Sequence, residues 1–206
     1  MTLRTILLTG ELDWAPTPIP AGTPDVQIAR LFVANPTTKA STSLVRFPAG
    51  WTRGVDVFYA VDEEIVVLEG ELIVSGVSYA AGQYGFIPAG SLRRSSATPT
   101  GCLALAHFGG IPGALTKEQV SVMAVGPTVR HDLHAYGVGV GSLCLGTSGV
   151  RLRSSSTGTC DFVEGELKSQ AAVASCEVLD LHTWTLTLVE KGDSISLPPS
   201  RYLVRA

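Results

Sequence analysis

Glu63-Glu-Ile-Val-Val-Leu-Glu-Gly70 and Gly82-Gln-Tyr-Gly-Phe-Ile-Pro88-Ala-Gly90 are the two stretches whose reading decides the fold. In the first, an acid is followed after six residues by glycine. In the second, a glycine is followed after five residues by Pro-x-Gly. Glycine reaches backbone conformations closed to other residues, and proline presets the chain for a turn. Gly70, Gly82, Pro88 and Gly90 therefore mark changes of direction between short apolar runs. Those runs are Ile65-Val-Val-Leu68, Glu71-Leu-Ile-Val74 and Tyr84-Gly-Phe-Ile87. Further out, Thr42-Ser-Leu-Val-Arg-Phe47 and Cys102-Leu-Ala-Leu-Ala-His-Phe108 read the same way. Most are bounded by Gly, Pro or Ser, the punctuation of an all-β barrel or sandwich.

The pair of patterns resembles the two motifs of the cupin family, G-x5-H-x-H-x3-E-x6-G and G-x5-P-x-G-x2-H-x3-N. The resemblance implies an all-β, jelly-roll (double-stranded β-helix) barrel. On the family spacing the first two histidine positions fall on Val57 and Tyr59, and the acid on Glu63. The second-motif histidine falls on Arg93 and the asparagine on Ala97. Some relatives have one more residue before the acid, which matches Gly50 and moves the pair to Asp56 and Phe58. Neither register contains an imidazole. A cupin metal needs neutral imidazole nitrogens and a carboxylate converging on one point. Valine has no donor atom, and arginine stays protonated and repels a divalent cation. No metal and no other cofactor is therefore expected.

Within the cupins, the chain resembles the anti-sigma-factor ChrR-type domain and its two-barrel relatives. The residues that carry this are Glu11-Leu-Asp-Trp14 with the proline-rich stretch after it, Phe47-Pro-Ala-Gly-Trp51, and Leu68-Glu-Gly-Glu-Leu72. The likeness covers roughly residues 10–108.

The second half looks like a worn copy of the first. Thr183-Trp-Thr-Leu-Thr-Leu-Val189 leads into Gly192-Asp-Ser-Ile-Ser-Leu-Pro198, which repeats the spacing of Gly82 and Pro88, with Ser200 where Gly90 stood. Val163-Glu-Gly-Glu-Leu167 echoes Leu68-Glu-Gly-Glu-Leu72, but its glycine lies 27 residues before Gly192 rather than 12. The expectation is two tandem barrels, 1–110 and 111–206, cut near the breaker cluster Gly109-Gly-Ile-Pro-Gly113. The alternative is one barrel with a β extension. The only helical stretch expected is Leu115–Met123, and Trp14–Gly22 should be an extended loop, because three prolines exclude helix and central strand.

Composition bounds the partners. Charged residues are 16% and hydrophobic ones 45%, with mean hydropathy +0.29, so a well-filled core is expected, with apolar surface or an apolar pocket besides. Net charge is −3 and pI about 5.8, which points to no nucleic acid and no anionic membrane as partner. The N-terminal apolar run is three residues, too short for a signal-peptide core, and no stretch approaches a membrane span. Cys102, Cys144, Cys160 and Cys176 lack C-x2-C spacing and read as reduced, mostly buried thiols. A cytoplasmic protein acting on a small molecule is expected. Cupins commonly pair by sheet edges, so a homodimer is expected too.

Strand alternation puts Val57 and Tyr59 on one face, with Glu63 and Arg93 at the other two ligand positions. Tyr59, Glu63 and Arg93 are the expected catalytic group, joined by His107 at the end of the alternating run Leu103–His107. Arg53, Val57, Tyr84, Phe86 and Leu105 are the expected substrate-binding lining. The Arg93–Glu63 pair has two readings. One is a charge pair filling the hole left by a lost metal. The other is an arginine binding a carboxylate or enolate while Glu63 or Tyr59 moves a proton. His131 and His134 would share one side of a helix but opposite sides of a strand, and their surroundings read as loop and strand, a poor metal site. Gly137-Val-Gly-Val-Gly141 lacks the Lys-Ser/Thr of a phosphate loop and reads as Gly-rich strand. Arg151–Gly158 reads as a strand end running into a solvated turn.

Three functional classes follow. The first is a metal-independent isomerase, cyclase, dehydratase or lyase working on a small, partly apolar molecule. The second is a non-catalytic ligand-binding or regulatory cupin of the ChrR type. The third is a metalloenzyme with non-standard ligands such as Glu63 with His107.

Overall fold

A computed structural model describes residues 4–19, 22–133, 150–155, 158–172 and 175–205. Strand is the dominant regular structure of the described residues, which hold one helix, Lys117–Ser121, capped by Thr116. Among them no helix is long and apolar enough to cross a membrane. They gather into two compact units, 12–134 in one and 1–11 with 135–206 in the other. This boundary differs from the 110/111 cut read from the breaker cluster, and strand pairing is the reason. Val129–Asp132 adds an edge strand beside Gln83–Ile87, while Arg4–Leu7 pairs with Thr185–Val189.

In the 12–134 unit one sheet runs, in order, Val129–Asp132, Gln83–Ile87, Glu63–Val74, Cys102–Phe108, Ala40–Phe47, Gln27–Asn35 and Ala15–Pro16. The described residues of the proline-rich stretch contribute that last two-residue strand, at the sheet edge, where a missing N–H costs no ladder bond. A second, three-stranded sheet runs Leu92–Arg93, Val57–Tyr59, Ala114–Leu115.

Glu63–Val74 is one continuous strand, not two strands parted by a turn at Gly70. Its first half pairs with Gln83–Ile87 and Cys102–Phe108, its second with Val77–Ala80 and Ser96–Thr98. Gly70 sits at the change of partner with φ +72°, and a Cβ there would lie 2.0 Å from the Gly101 carbonyl oxygen. Only glycine lets the two backbones pass so closely. Just before it, the ladder steps from Ala104–Val67 to Leu103–Glu69, leaving Leu68 as the extra residue of a bulge. The bulge shifts the alternation by one. Ile65 and Val67 before it and Leu72 and Val74 after it therefore all join one core, with Trp51, Tyr79, Ile87 and Ala104. Each large apolar side chain buried there is worth about 1.5–3 kcal/mol relative to exposure.

The other unit's described strands form a six-stranded antiparallel sheet: Arg4–Leu7, Thr185–Val189, Cys176–Asp180, Ser194–Arg205, Gly158–Ala171, Val150–Ser155. Gly192 repeats Gly82. Both have positive φ, +89° and +81°, and both donate an N–H of 2.8 Å back to a preceding strand or its end, to Ala172 and Val67. The proline does not repeat in the same role. Pro88 follows the end of its strand, whereas Pro198 lies within Ser194–Arg205. The Val163–Leu167 echo falls inside the long strand Gly158–Ala171. His134, Gly137–Gly141, Cys144 and residues 156 and 157 of the stretch expected to turn lie outside the described residues. Cys102, Cys160 and Cys176 are buried, and burial pushes the Cys102 thiol up from its usual 9.0 to about 12.

Candidate functional site

The inner face of the 12–134 unit bounds a cavity of about 440 Å³. Phe47, Trp51, Ile65, Leu72, Val74 and Phe108 supply apolar wall, and Arg53, Tyr59, Glu63, Arg93 and Ser96 supply polar groups. Gathering a few polar side chains in a greasy hollow is the usual make-up of a small-molecule site.

The punctuation motifs hold these side chains in place. In the Pro88–Gly90 turn, the Gly90 N–H donates to the Tyr59 carbonyl at 2.9 Å and the Ala89 N–H to Asp62 Oδ1 at 2.8 Å. The turn thus clamps the loop that carries Tyr59 and Glu63. Arg93 pairs across from Val57, and Glu63 opposes both Ile87 and Phe108 in the ladders. On the far side, Arg53 ends the short strand Trp51–Arg53, which pairs with Ser96–Thr98 and bridges to Gly22.

Arg93 is 1% exposed. Its Nε and Nη2 both donate to Glu63 Oε2, at 3.2 and 3.1 Å, and its Nη1 donates to the Ser91 carbonyl at 3.2 Å. Its guanidinium lies 4.4 Å from the centre of the Tyr59 ring. Arg53, 4% exposed, donates from Nη1 to the Tyr59 hydroxyl at 2.8 Å and from Nη2 to Ser96 Oγ at 2.9 Å. Its Nε is buried without a partner. Tyr59 therefore touches both arginines, one through its ring and one through its oxygen, while Phe108 meets it edge-on at 6.3 Å. Nearby, Tyr79 is held as a neutral phenol: burial raises its pKa and the charge of Glu63 raises it further.

Of the residues expected from sequence, Tyr59, Glu63, Arg93 and Arg53 are brought together at the cavity. Val57, Tyr84, Phe86, Leu105 and His107 do not line it. For Tyr84, Phe86, Leu105 and His107 the reason is strand parity, whereas Val57 shares the face of Tyr59 and Arg93 and still lies outside the lining. Cross-strand partners share a face. Glu63 and Ile65 face the cavity with Ala104, Ala106 and Phe108, so their neighbours in sequence point the other way. Glu64 opposes His107 and Phe86, and Val66 opposes Leu105 and Tyr84. On that reverse face the Tyr84 hydroxyl donates to Glu64 Oε2 at 3.0 Å, and His107 Nδ1 shares a 3.0 Å bond with Thr42 Oγ1. His107 thus serves the packing of the reverse face and is not at the cavity. Glu63 and His107, on opposite faces, cannot meet at one metal ion. His131 stacks on Tyr84, ring centres 6.1 Å apart. Sequence reasoning missed Ser96, Trp51, Ile65 and Phe108. The parity of Glu63 alone would have indicated Ile65, but the register that puts Phe108 opposite Glu63 is tertiary.

Residues 6–109 match the family model DUF4437, a domain of unknown function. No curated protein matches the chain in sequence. Solved structures do resemble it. A "putative dioxygenase" of Nostoc punctiforme superposes with TM-score 0.74 at 15% identity, over 98% of this chain and 81% of that one. The YlbA protein of E. coli gives TM-score 0.52 at 11% identity, over 98% and 85%. A point variant of the salicylate 1,2-dioxygenase of Pseudoaminobacter salicylatoxidans gives 0.52 at 14% identity, over 86% and 75%. These likenesses carry the fold, and the fold is the cupin fold.

That fold implies a metal, and the residues here do not fit one. The positions that the motif resemblance gives to ligands are Val57, Tyr59, Glu63 and Arg93, and the one carboxylate among them is already bonded by a guanidinium. Among the described residues no three His, Cys, Asp or Glu side chains gather to hold an ion. Arg53 and Arg93 would both repel a divalent cation in the cavity.

Proposed function

This chain belongs to the DUF4437 family, and from that premise, its cupin fold and its cavity we propose a metal-independent enzyme that moves a proton on a small, partly apolar molecule. The reaction classes are isomerisation, cyclisation, dehydration or lyase cleavage through an enolate. One observation carries the reading: a carboxylate, two guanidiniums and a phenol converge on one apolar hollow.

Taking a proton from carbon beside a carbonyl needs a base, and the oxyanion that forms needs positive charge and a hydrogen-bond donor. Glu63 is the base in this proposal. Both bonds from Arg93 end on its Oε2, so its Oε1 is not used by either. Arg93 orients the carboxylate and stabilises the oxyanion. Tyr59 accepts from Arg53 through its oxygen, which leaves its own hydroxyl hydrogen to be donated. The proton taken by Glu63 then returns to a second carbon, which is isomerisation, or leaves with a hydroxide as water, which is dehydration.

A second reading, a ligand-binding or regulatory cupin of the ChrR type without turnover, draws on the same ion pair: Glu63 is already engaged by Arg93. The test that separates them is proton exchange in heavy water, followed by NMR on a panel of small ketones and keto acids with chelator-treated protein. The enzyme reading expects protein-dependent deuterium incorporation that survives chelator. It expects a fall of about 10²–10⁴-fold in Glu63→Gln and a smaller loss in Tyr59→Phe. Exchange no faster than buffer, or exchange that needs an added divalent metal, overturns it.

A further inference from the structure

The charges of the cavity do not balance. Glu63 is the only acid among the described residues that line it, against Arg53 and Arg93 inside and the exposed Arg30 and Lys39. Glu63 is bonded to Arg93. Arg53 is different. Its hydrogen-bond partners, Tyr59 and Ser96, are neutral hydroxyls, and its Nε has no acceptor. A guanidinium cannot shed its proton, so a cation with no counter-charge is held nearly out of water. Such an arrangement costs stability unless something completes it.

We infer that the cavity takes a small organic carboxylate with an apolar body, and that Arg53, through the hydroxyls of Tyr59 and Ser96, is what recognises its charge. The inference rests on this cavity being the working site, as proposed above. The geometry follows from donor and acceptor roles. Each hydroxyl accepts from Arg53, so each has its own hydrogen left to give. Both residues line the cavity, and together they present two donors backed by one positive charge, a match for the two oxygens of a carboxylate. One unpaired buried charge suits a monoanion better than a phosphate dianion. The cavity's apolar walls, Phe47, Trp51, Ile65 and Phe108, suit an apolar body. Arg53 is also firmly anchored. Its backbone pairs with Ser96 and bridges to Gly22, and the neighbouring Trp51 indole N–H donates to the Thr23 carbonyl at 3.0 Å.

The test uses matched probes on the whole chain: benzoate and hexanoate against their neutral amides, benzamide and hexanamide, by titration calorimetry at constant ionic strength. The carboxylates are expected to bind at least roughly 10-fold more tightly than the amides, the difference between a charge-assisted and a neutral hydrogen bond. Arg53→Met should abolish that preference. If Arg53→Met does not fold, Arg53→Lys keeps the charge without the fork, and Ser96→Ala removes one donor. Each should reduce the preference without erasing it. Amides binding as tightly as carboxylates overturns the inference. So does the absence of saturable carboxylate binding at millimolar concentration, or a folded Arg53→Met that keeps the preference. The enzyme reading fails separately. Arg53-dependent carboxylate binding with no proton exchange removes catalysis and leaves the site, whereas exchange on neutral ketones without carboxylate preference does the reverse.

Discussion

Replacing Glu63 by Gln should destabilise the 12–134 unit more than replacing Arg93 by Met, although each removes one half of the same ion pair. Arg93 is 1% exposed and has two of its three bonding nitrogens on Glu63 Oε2. In Glu63→Gln it remains charged, because a guanidinium cannot lose its proton. Removing one partner of a buried pair costs about 3–5 kcal/mol, and the glutamine oxygen recovers about 1 kcal/mol as a neutral acceptor, leaving about 2–4 kcal/mol. In Arg93→Met the stranded group is a carboxylate with 15% side-chain exposure, better placed to keep contact with water than the guanidinium, whose side chain is 2% exposed. Its stranding should therefore cost less than that of the more deeply buried guanidinium. Urea unfolding of both single variants and the double variant, at neutral and mildly acid pH, measures the coupling. Glu63→Gln within about 0.5 kcal/mol of the parent, or Arg93→Met the costlier of the two, would refute the picture of a desolvated, charge-compensated arginine.

Gly70→Ala should prevent correct folding or lower thermal stability by several degrees, since the new Cβ meets the Gly101 carbonyl oxygen in a backbone with φ +72°; an unchanged melting temperature would mean the strand crossing is looser than described. The Cys102 thiol, raised to about 12, contributes stability that is whole below pH 9.0 and is lost as pH rises toward 12, by about 1.4 kcal/mol per unit; Cys102→Ala should flatten that alkaline slope in pH-dependent unfolding. Asp180 is opposite in sign. Its burial would raise the pKa, but the backbone N–H groups of His182 and Thr183 and the hydroxyls of Ser200 and Thr183 outweigh it, so the net shift is downward. Its contribution holds above the unfolded carboxylate range and disappears in acid, and Asp180→Asn should shift the acid unfolding midpoint upward. We also propose a homodimer, in line with exposed Ile111 and Val122; a monomer mass by light scattering at micromolar concentration would count against it.

Much of the fold is local in origin and legible in the chain. Gly82, Pro88 and Gly90 act through their own backbone preferences, and the Cys102–Phe108 strand follows end to end from alternation alone. The resemblance of the motifs to the cupin pattern also implies that Tyr59, Glu63 and Arg93 meet, whereas Arg53 stands at no motif position and joins them through its pairing with Ser96. What the chain could not disclose depends on pairing between distant segments. Gly70 reads as a turn, and only Gly101 passing at contact distance makes it a bend within one strand. His107 and Leu105 share a face, as alternation says, but which face looks inward depends on the register that sets Phe108 opposite Glu63. A shift of one residue reverses every side chain of a strand, and no strand carries its own register. The Leu68 bulge makes that shift within a single strand. Charge is similar. Composition counts the arginines, but only the folded chain decides that Arg93 has a carboxylate and Arg53 two hydroxyls. Backbone preference is a property of each residue, whereas counter-charge and register belong to pairs that the fold alone brings together.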